Sequence, residues 1–163
     1  MKHQILSVTA SILWIVASAP SVWSSEPAKA SEPKDVELQG RVVCLPEEMN
    51  RVYGTELPTG HEHVYGFRTK DGSYYTLLRT KLSEALFMDE RLRKKELLLK
   101  GRVLPKSQVF DVTIFKSIVN GKVYDLYYWC DICSIESISP RECACCQGPV
   151  ELKEKPMEER GPK

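Results

Sequence analysis

Five of the six cysteines of this 163-residue chain lie between Cys130 and Cys146. They include two Cys-x-x-Cys pairs that are separated by nine residues, and Cys145 lies inside the second pair. The two sulfurs of such a pair point the same way, so two pairs can surround one tetrahedral metal ion. The pattern predicts a zinc site with Cys145 as an alternative ligand and with four main ligands, Cys130, Cys133, Cys143 and Cys146.

The same cysteines allow two other interpretations. An even number of cysteines permits complete pairing into disulfides, which are common in exported proteins. A cluster of soft thiolates also suits copper, and Cys145 would then be a spare thiolate for exchange of metal or electrons. The nine-residue spacer is shorter than in most zinc ribbons. The paired spacing favours metal, as does Gly148, whose conformational freedom suits the tight turn of a metal knuckle.

The N-terminus has the pattern of an export signal. A short basic start precedes an apolar stretch, residues 5–19, which is shorter than the roughly 20 residues that span a bilayer. Small residues in Val22-Trp-Ser24 and Ala28-Lys-Ala30 offer two cleavage sites. We therefore predict a signal peptide and linker over residues 1–30, with an uncleaved anchor as the alternative. The expected protein is exported, periplasmic or extracellular, with no stable membrane anchor after cleavage.

Charge limits the classes of partner. Without residues 1–30 the chain loses Lys2, Lys29 and Glu26 and keeps 21 basic and 21 acidic side chains. A neutral protein lacks the positive field that supplies most affinity for nucleic acid. The sequence also contains no phosphate-binding loop, dinucleotide fingerprint or nucleophile elbow. We therefore expect a non-enzymatic binding module for a protein or small ligand, and no nucleic-acid partner.

Alternating apolar residues predict a body made mainly of β-strands. Pro46 to Gly60 is predicted as a polar connection, and a single helix is predicted from about Lys81 to Lys94, with Thr80 as its cap. A hairpin through Asn120-Gly121 leads the last strand directly into Cys130. The predicted strands cover residues 36–45, 63–69, 73–79, 96–104, 109–115 and 122–129.

Three strands, a helix and two further strands are the element order of the OB-fold, a small five-stranded barrel. A strand with Gly40-Arg-Val, an aromatic strand, Asp71-Gly, another strand and Leu99-Lys-Gly-Arg-Val together resemble exported bacterial OB-fold proteins over about residues 36–118. The resemblance implies an OB-fold-like barrel with one helix over residues 31–118. It also implies that the first and fourth strands are neighbours, with their Gly-Arg-Val segments side by side.

The remainder of the chain is an addition to that pattern. Residues 119–150 are predicted to form a β-hairpin that carries the zinc-knuckle-like cysteine cluster. Tyr124 and Tyr127 are expected to pack this hairpin onto the barrel, together with Tyr128 and Trp129. The charged residues 151–163 contain two prolines and are predicted to be a disordered tail.

Two smaller features are open to a structural or a chemical interpretation. Cys44 shares the apolar face of the first strand, so a buried core thiol is expected, with a metal site or a bridge as the alternative. His61 and His63 are spaced so that a strand would point both the same way, towards a metal. They follow a loop rich in proline and glycine, so exposed loop residues are the favoured interpretation.

Overall fold

Eight strands and three helices follow one another in a computed structural model that describes residues 32–157. The predicted signal peptide lies outside these residues. The described chain belongs to one compact unit, Ser31–Lys163. The elements are β1 (Lys34–Cys44), α1 (Leu45–Tyr53), β2 (Tyr65–Thr69), β3 (Tyr74–Leu77), α2 (Glu84–Met88), α3 (Glu90–Arg93), β4 (Glu96–Val103), β5 (Val109–Val119), β6 (Lys122–Cys130), β7 (Ile135–Ser137) and β8 (Glu151–Pro156).

The first five strands pair in a closed ring. β1 is antiparallel to both β2 and β4, β2 is antiparallel to β3, and β4 is antiparallel to β5. A short parallel pairing between β3 and β5, at Thr76 with Val109 and Leu77 with Phe110, completes the ring. The prediction of a mainly β chain is therefore confirmed, and so is the adjacency of the first and fourth strands.

The register of β1 and β4 differs from the expected one. Leu38 lies opposite Leu99, so the two antiparallel Gly-Arg-Val segments run away from each other instead of lying side by side. Gly40 is opposite Leu97, and Gly101 is opposite Val36. The two similar Gly-Arg-Val segments therefore place one glycine at each end of this strand pair.

Both glycines lie where two backbones approach closely. A Cβ atom on Gly40 would overlap the carbonyl oxygen of Arg68 and lie 2.8 Å from the Cα of Thr69, on β2. A Cβ on Gly101 would overlap the carbonyl oxygen of Asp111 and lie 2.9 Å from the Cα of Val112, on β5. Glycine therefore allows the strand to coil tightly against its neighbour at each position.

The apolar core lies inside the ring and under α2 and α3. Burial of this surface is the main source of stability for a domain of this size. Leu126 and Tyr128 extend the core onto β6, whereas Tyr124 and Tyr127, which were expected to hold the hairpin, are only half-buried. The other core residues are Val42, Phe67, Leu77, Ala85, Leu86, Leu92, Leu97, Leu99, Phe110, Val112 and Phe115.

The helices differ from the single one predicted. The sequence 81–94 forms two short helices because Asp89 has an extended backbone, with φ −99° and ψ 105°. Its carboxylate accepts a hydrogen bond from the backbone N–H of Arg91 and caps α3. The expected cap, Thr80, lies outside α2, and Ser83 precedes that helix instead.

α1 occupies the region predicted as a polar connection. Pro46 lies in its first turn, Glu47 and Glu48 follow, and Arg51 is in its last turn. Gly54 ends the helix with φ +68°, and its N–H donates to the carbonyl of Asn50. These are the usual signals of a helix start and stop, and Leu45, Met49 and Val52 lie at helical spacing, so the prediction of a polar connection was wrong for residues 46–53.

β8 corrects the prediction of a disordered tail for residues 151–156, and residues 158–163 of that prediction lie outside the described residues. Residues 151–156 pair antiparallel with residues 124–129 of β6. Ser117 donates a 2.7 Å hydrogen bond to the carboxylate of Glu154, which also lies 3.1 Å from the ammonium group of Lys95. The charges that suggested a tail therefore hold an outer strand on the sheet.

Candidate metal centre

The first cysteine pair forms the turn between β6 and β7. Cys130 is the last residue of β6 and pairs with Ile135 at the start of β7. Within the turn, the backbone N–H of Ser134 donates a 2.8 Å hydrogen bond to the carbonyl of Cys130. Ser134 has φ +53°, a left-handed conformation that reverses the chain immediately after Cys133.

The second pair repeats this geometry. Gln147 follows Cys146 directly, has φ +58°, and donates its N–H to the carbonyl of Cys143 at 2.8 Å. Gly148, which was expected to supply the turn, has a different role. A Cβ on Gly148 would lie 2.9 Å from the Cδ1 of Ile132 and 3.3 Å from the sulfur of Cys146. Its missing side chain leaves room for the end of the Ile132 side chain and for the sulfur of Cys146.

The two knuckles meet at one end of β6. Their four sulfurs, from Cys130, Cys133, Cys143 and Cys146, lie within 4.8 Å of one another. The sulfurs of Cys130 and Cys146 are 3.5 Å apart. Zinc–sulfur bonds of about 2.3 Å at tetrahedral angles would place two sulfurs about 3.8 Å apart. The structure thus brings the four predicted ligands to metal-binding distance, and all six cysteines are free thiols.

The four predicted ligands differ in how deeply they are buried. Cys130 is fully buried and Cys143 nearly so, whereas Cys133 and Cys146 are half-buried. Cys145 is exposed and outside the group of four, although its thiol is a hydrogen-bond neighbour of Cys133. The fifth cysteine of the cluster therefore faces solvent at the rim of the candidate site.

The thiols have divergent acidities. Backbone N–H groups of Cys146 and Cys145 lower the pKa of Cys143 to about 7. Hydrogen bonds with the thiols of Cys146 and Cys145 raise the pKa of Cys133 far above its ordinary value. Negative charges this close cannot all form in the absence of a cation, because each thiolate opposes the next. Cys143 is thus the first thiolate available to a metal, and an ion with charge 2+ would favour ionisation of the others.

Two contacts hold the loop that precedes the second knuckle. The guanidinium of Arg141 donates to the carboxylate of Glu84, with a 3.0 Å bond from Nε to Oε2. The hydroxyl of Ser139 lies 3.4 Å from the same carboxylate. Arg141 accordingly holds the pKa of Glu84 below its ordinary value. The cysteine loop is thereby connected to the first turn of α2.

The aromatic side chains at the base of the cluster, Tyr128 and Trp129, lie on opposite faces of β6. Tyr128 points into the core, and its hydroxyl donates a 2.8 Å bond to the buried carboxylate of Asp89. Burial and this bond raise the pKa of Tyr128 well above its ordinary value. Trp129, on the opposite face of β6, is half-buried. Tyr128 therefore links the strand that carries Cys130 to the start of α3.

A second group of metal-ligating side chains lies elsewhere in the chain. Cys44, Glu47, His61 and His63 each place one ligand atom within 4.8 Å of the others. Cys44 is half-buried instead of lying in the core as expected. The two histidines lie in a loop, as expected, but only His63 is exposed, whereas His61 is half-buried. Both rings face the thiol of Cys44.

Comparisons with protein-family models, curated proteins and solved structures gave no match for this chain. The resemblance to exported OB-fold proteins stays a prediction. In the described part of the chain, no helix combines the length and the apolar character needed to cross a lipid bilayer.

Proposed function

We propose that this chain is an exported, non-enzymatic binding module whose C-terminal segment is organised by a structural zinc ion. Cys130, Cys133, Cys143 and Cys146 bind the ion. The ring of β1 to β5 is an OB-fold-like barrel, and it presents a surface for a protein or small ligand. The observation that carries the proposal is the repeated knuckle geometry, which directs four sulfurs to one point.

The zinc ion has a structural role because its ligand set is complete. Four thiolates fill a tetrahedral shell, so no position stays open for a substrate or an activated water. The ion joins the turn after β6 to the turn before β8, and both strands belong to the same sheet. Metal binding therefore supports the return of β8 to β6, and its free energy contributes to folding.

The order of the ring supports the barrel. Starting from β1, the pairings run through β2, β3, β5 and β4 and return to β1. Closure removes free strand edges, which is how small antiparallel barrels protect their backbones. The glycines at positions 40 and 101 permit the tight coiling that a barrel of five strands requires.

The test compares two cysteine variants with the wild-type chain, each purified from the exported compartment without added metal. Zinc per chain is measured by elemental analysis, and intact mass reports disulfides. Cys133→Ser should lose one zinc equivalent relative to wild type and should loosen residues 143–156, measured by amide hydrogen exchange. Cys145→Ser is the matched control, because it removes a thiol of the same cluster, and it should keep the full zinc content.

Three results would contradict the proposal. Equal zinc content in Cys133→Ser and wild type would remove Cys133 from the ligand set. Metal-free protein whose mass shows three disulfides, and which unfolds on reduction, would establish the disulfide interpretation. Loss of metal in Cys145→Ser alone would favour the alternative function, a copper or redox-handling protein. The exposed Cys145 thiol beside Cys133 is the observation that supports that alternative.

A further inference from the structure

Four side chains from separate segments converge at the end of β1. Cys44 is the last residue of β1, and Glu47 lies in the first turn of α1. His61 and His63 lie in the loop that returns to β2. The thiol of Cys44 is 3.6 Å from Nε2 of His61 and 3.4 Å from Nδ1 of His63. The carboxylate of Glu47 is 3.3 Å and 3.6 Å from the same two nitrogens.

These separations are those of ligands around one metal ion. Zinc bonds of about 2.3 Å to sulfur and about 2.05 Å to nitrogen or oxygen, at tetrahedral angles, place sulfur about 3.6 Å from nitrogen. They place nitrogen about 3.4 Å from a carboxylate oxygen. The four distances in the cluster differ from these values by about 0.2 Å or less. The other two pairs of ligand atoms, Cys44 with Glu47 and His61 with His63, lie within 4.8 Å of each other, so the four atoms can surround one ion.

The imidazole nitrogens that face the thiol and the carboxylate distinguish a metal site from a catalytic triad. In a triad of thiol, imidazole and carboxylate, one ring nitrogen faces the thiol and the other faces the carboxylate. Here Nε2 of His61 faces both Cys44 and Glu47, and Nδ1 of His63 also faces both. An imidazole cannot relay a proton through a single nitrogen. Two imidazoles that direct one nitrogen each to a shared point are arranged to donate lone pairs to a cation.

The surrounding structure holds the ligands in place. The backbone N–H of Leu45 donates a 2.8 Å hydrogen bond to the carbonyl of Val64, which fixes the histidine loop beside the start of α1. The His63 ring stacks on Tyr65, with centroids 5.8 Å apart and planes 13° apart. The guanidinium of Arg93 lies over the Tyr65 ring, 4.8 Å from its centroid. Orientation of the His63 ring before binding lowers the entropic cost of forming the site.

We propose that Cys44, Glu47, His61 and His63 form a second metal site that takes a zinc-class divalent ion. One thiolate and one carboxylate balance the charge of the ion, and the two neutral imidazoles complete the shell. The site is open to solvent, since the Glu47 and His63 side chains are 54% and 53% exposed. Its ion exchanges readily, and Glu47 is the ligand that water or an external donor can replace.

The test uses the full exported chain with zinc in its four-cysteine cluster. After brief dialysis against a mild chelator, the chain is titrated with Zn²⁺ in competition with a coloured chelator. Wild type should take up one exchangeable equivalent. His61→Ala/His63→Ala should bind it at least about 100-fold more weakly, because loss of even an outer partner of a metal ligand costs 10–100-fold. Glu62→Gln is the matched control, because Glu62 lies between the histidines and outside the cluster.

Titration with Co²⁺ identifies the ligands. A bound thiolate gives a charge-transfer band in the near ultraviolet, and the exchangeable equivalent of wild type should show it. Cys44→Ser should lose that band for the exchangeable ion. Cys133→Ser should lose the tightly held zinc of the other cluster and keep the exchangeable one, so the two sites fail independently. Circular dichroism checks that the variants are folded, which is expected because the altered side chains lie outside the core.

Three results would overturn the proposal. The first is that wild type takes up no exchangeable ion at equivalent concentrations, and the second is that the histidine variant binds with the affinity of wild type. The second result would mean adventitious surface binding only. A Co²⁺ spectrum without a thiolate band in wild type would likewise exclude Cys44 as a ligand.

Discussion

Replacement of Gly40 by alanine should destabilise the chain more than its small size suggests. Gly40 is the residue at which β1 passes from pairing with β4 to pairing with β2, because it lies opposite both Leu97 and Thr69. The added Cβ would overlap the Arg68 carbonyl oxygen. These neighbours are backbone atoms, which cannot rotate away as a side chain can, so β2 must move.

The magnitude follows from what that movement breaks. Restoring ordinary contact between the new Cβ and the Cα of Thr69 requires a separation of at least about 0.6 Å, from 2.8 Å to 3.4 Å, and relief of the overlap with the Arg68 carbonyl requires more. Such a shift weakens backbone bonds nearby, including the 2.9 Å bond from the N–H of Lys70 to the carbonyl of Gln39. About two weakened bonds at ~1 kcal/mol each, with overpacking strain of ~1–3 kcal/mol, predict a loss of ~3–5 kcal/mol. Alanine also lowers the conformational entropy of the unfolded chain, which offsets less than about 1 kcal/mol of this loss of stability.

The assay is urea unfolding at constant zinc, followed by circular dichroism. Gly121→Ala is the control, because a Cβ there meets nothing within 4 Å, although φ is +75°. The left-handed conformation alone should cost about 1–2 kcal/mol. Gly40→Ala should therefore lose more stability than Gly121→Ala. If the free energy of unfolding of Gly40→Ala lies within about 1 kcal/mol of the wild-type value, and its dependence on urea concentration is unchanged, the close approach of β1 and β2 is refuted.

Three further predictions concern the connections of β6. Tyr128→Phe should lower the free energy of unfolding by about 1.5–3 kcal/mol in urea, because it removes a bond to a charged, buried partner, Asp89. Burial opposes ionisation of Asp89, but bonds from Arg91 and Tyr128 outweigh it and lower its pKa. Its stabilisation is therefore complete above the unfolded pKa of about 3.9 and is lost as pH falls through the lower folded value. The stability gap between wild type and Asp89→Asn, measured by urea unfolding at pH 7 and at pH 3, should narrow in acid, and a constant gap would contradict this. Truncation after Val150 removes β8 and should lower the urea midpoint of unfolding, and an unchanged midpoint would contradict the pairing of β8 with β6. The truncated chain should keep the zinc of the four-cysteine cluster in elemental analysis, because the last ligand of that cluster is Cys146.

The sequence predicts the ring strands well because alternation of apolar residues reports burial of one face. Val36, Leu38 and Val42 show this period, and the strand that contains them was located to within two residues at its start. The sequence predicts the four-cysteine cluster equally well, because the two cysteines of each pair are close together in the sequence. Both features depend on neighbours along the chain.

The features that the sequence did not reveal depend on contacts between distant segments. Cys44 and His63 meet because Cys44 lies opposite Tyr65 in the pairing of β1 with β2, a register that spacing alone does not specify. α1 is an exception, because its signal is local in sequence. Pro46 and Gly54 mark its ends, and Leu45, Met49 and Val52 follow a helical period that predicts a helix.

β8 has a consequence for how copies of this protein behave when they are crowded together. In the described residues, β6 has one edge covered by β5 and then β7, and the other by β8. The outer edge of β8 is unpaired among those residues, and a bare strand edge can recruit a strand from another molecule. Glu151, Lys153 and Lys155 place a charged side chain at every second position of β8, and Pro156 removes a backbone donor near its end. The composition that made the segment look like a tail is therefore what discourages neighbouring molecules from joining their sheets into aggregates.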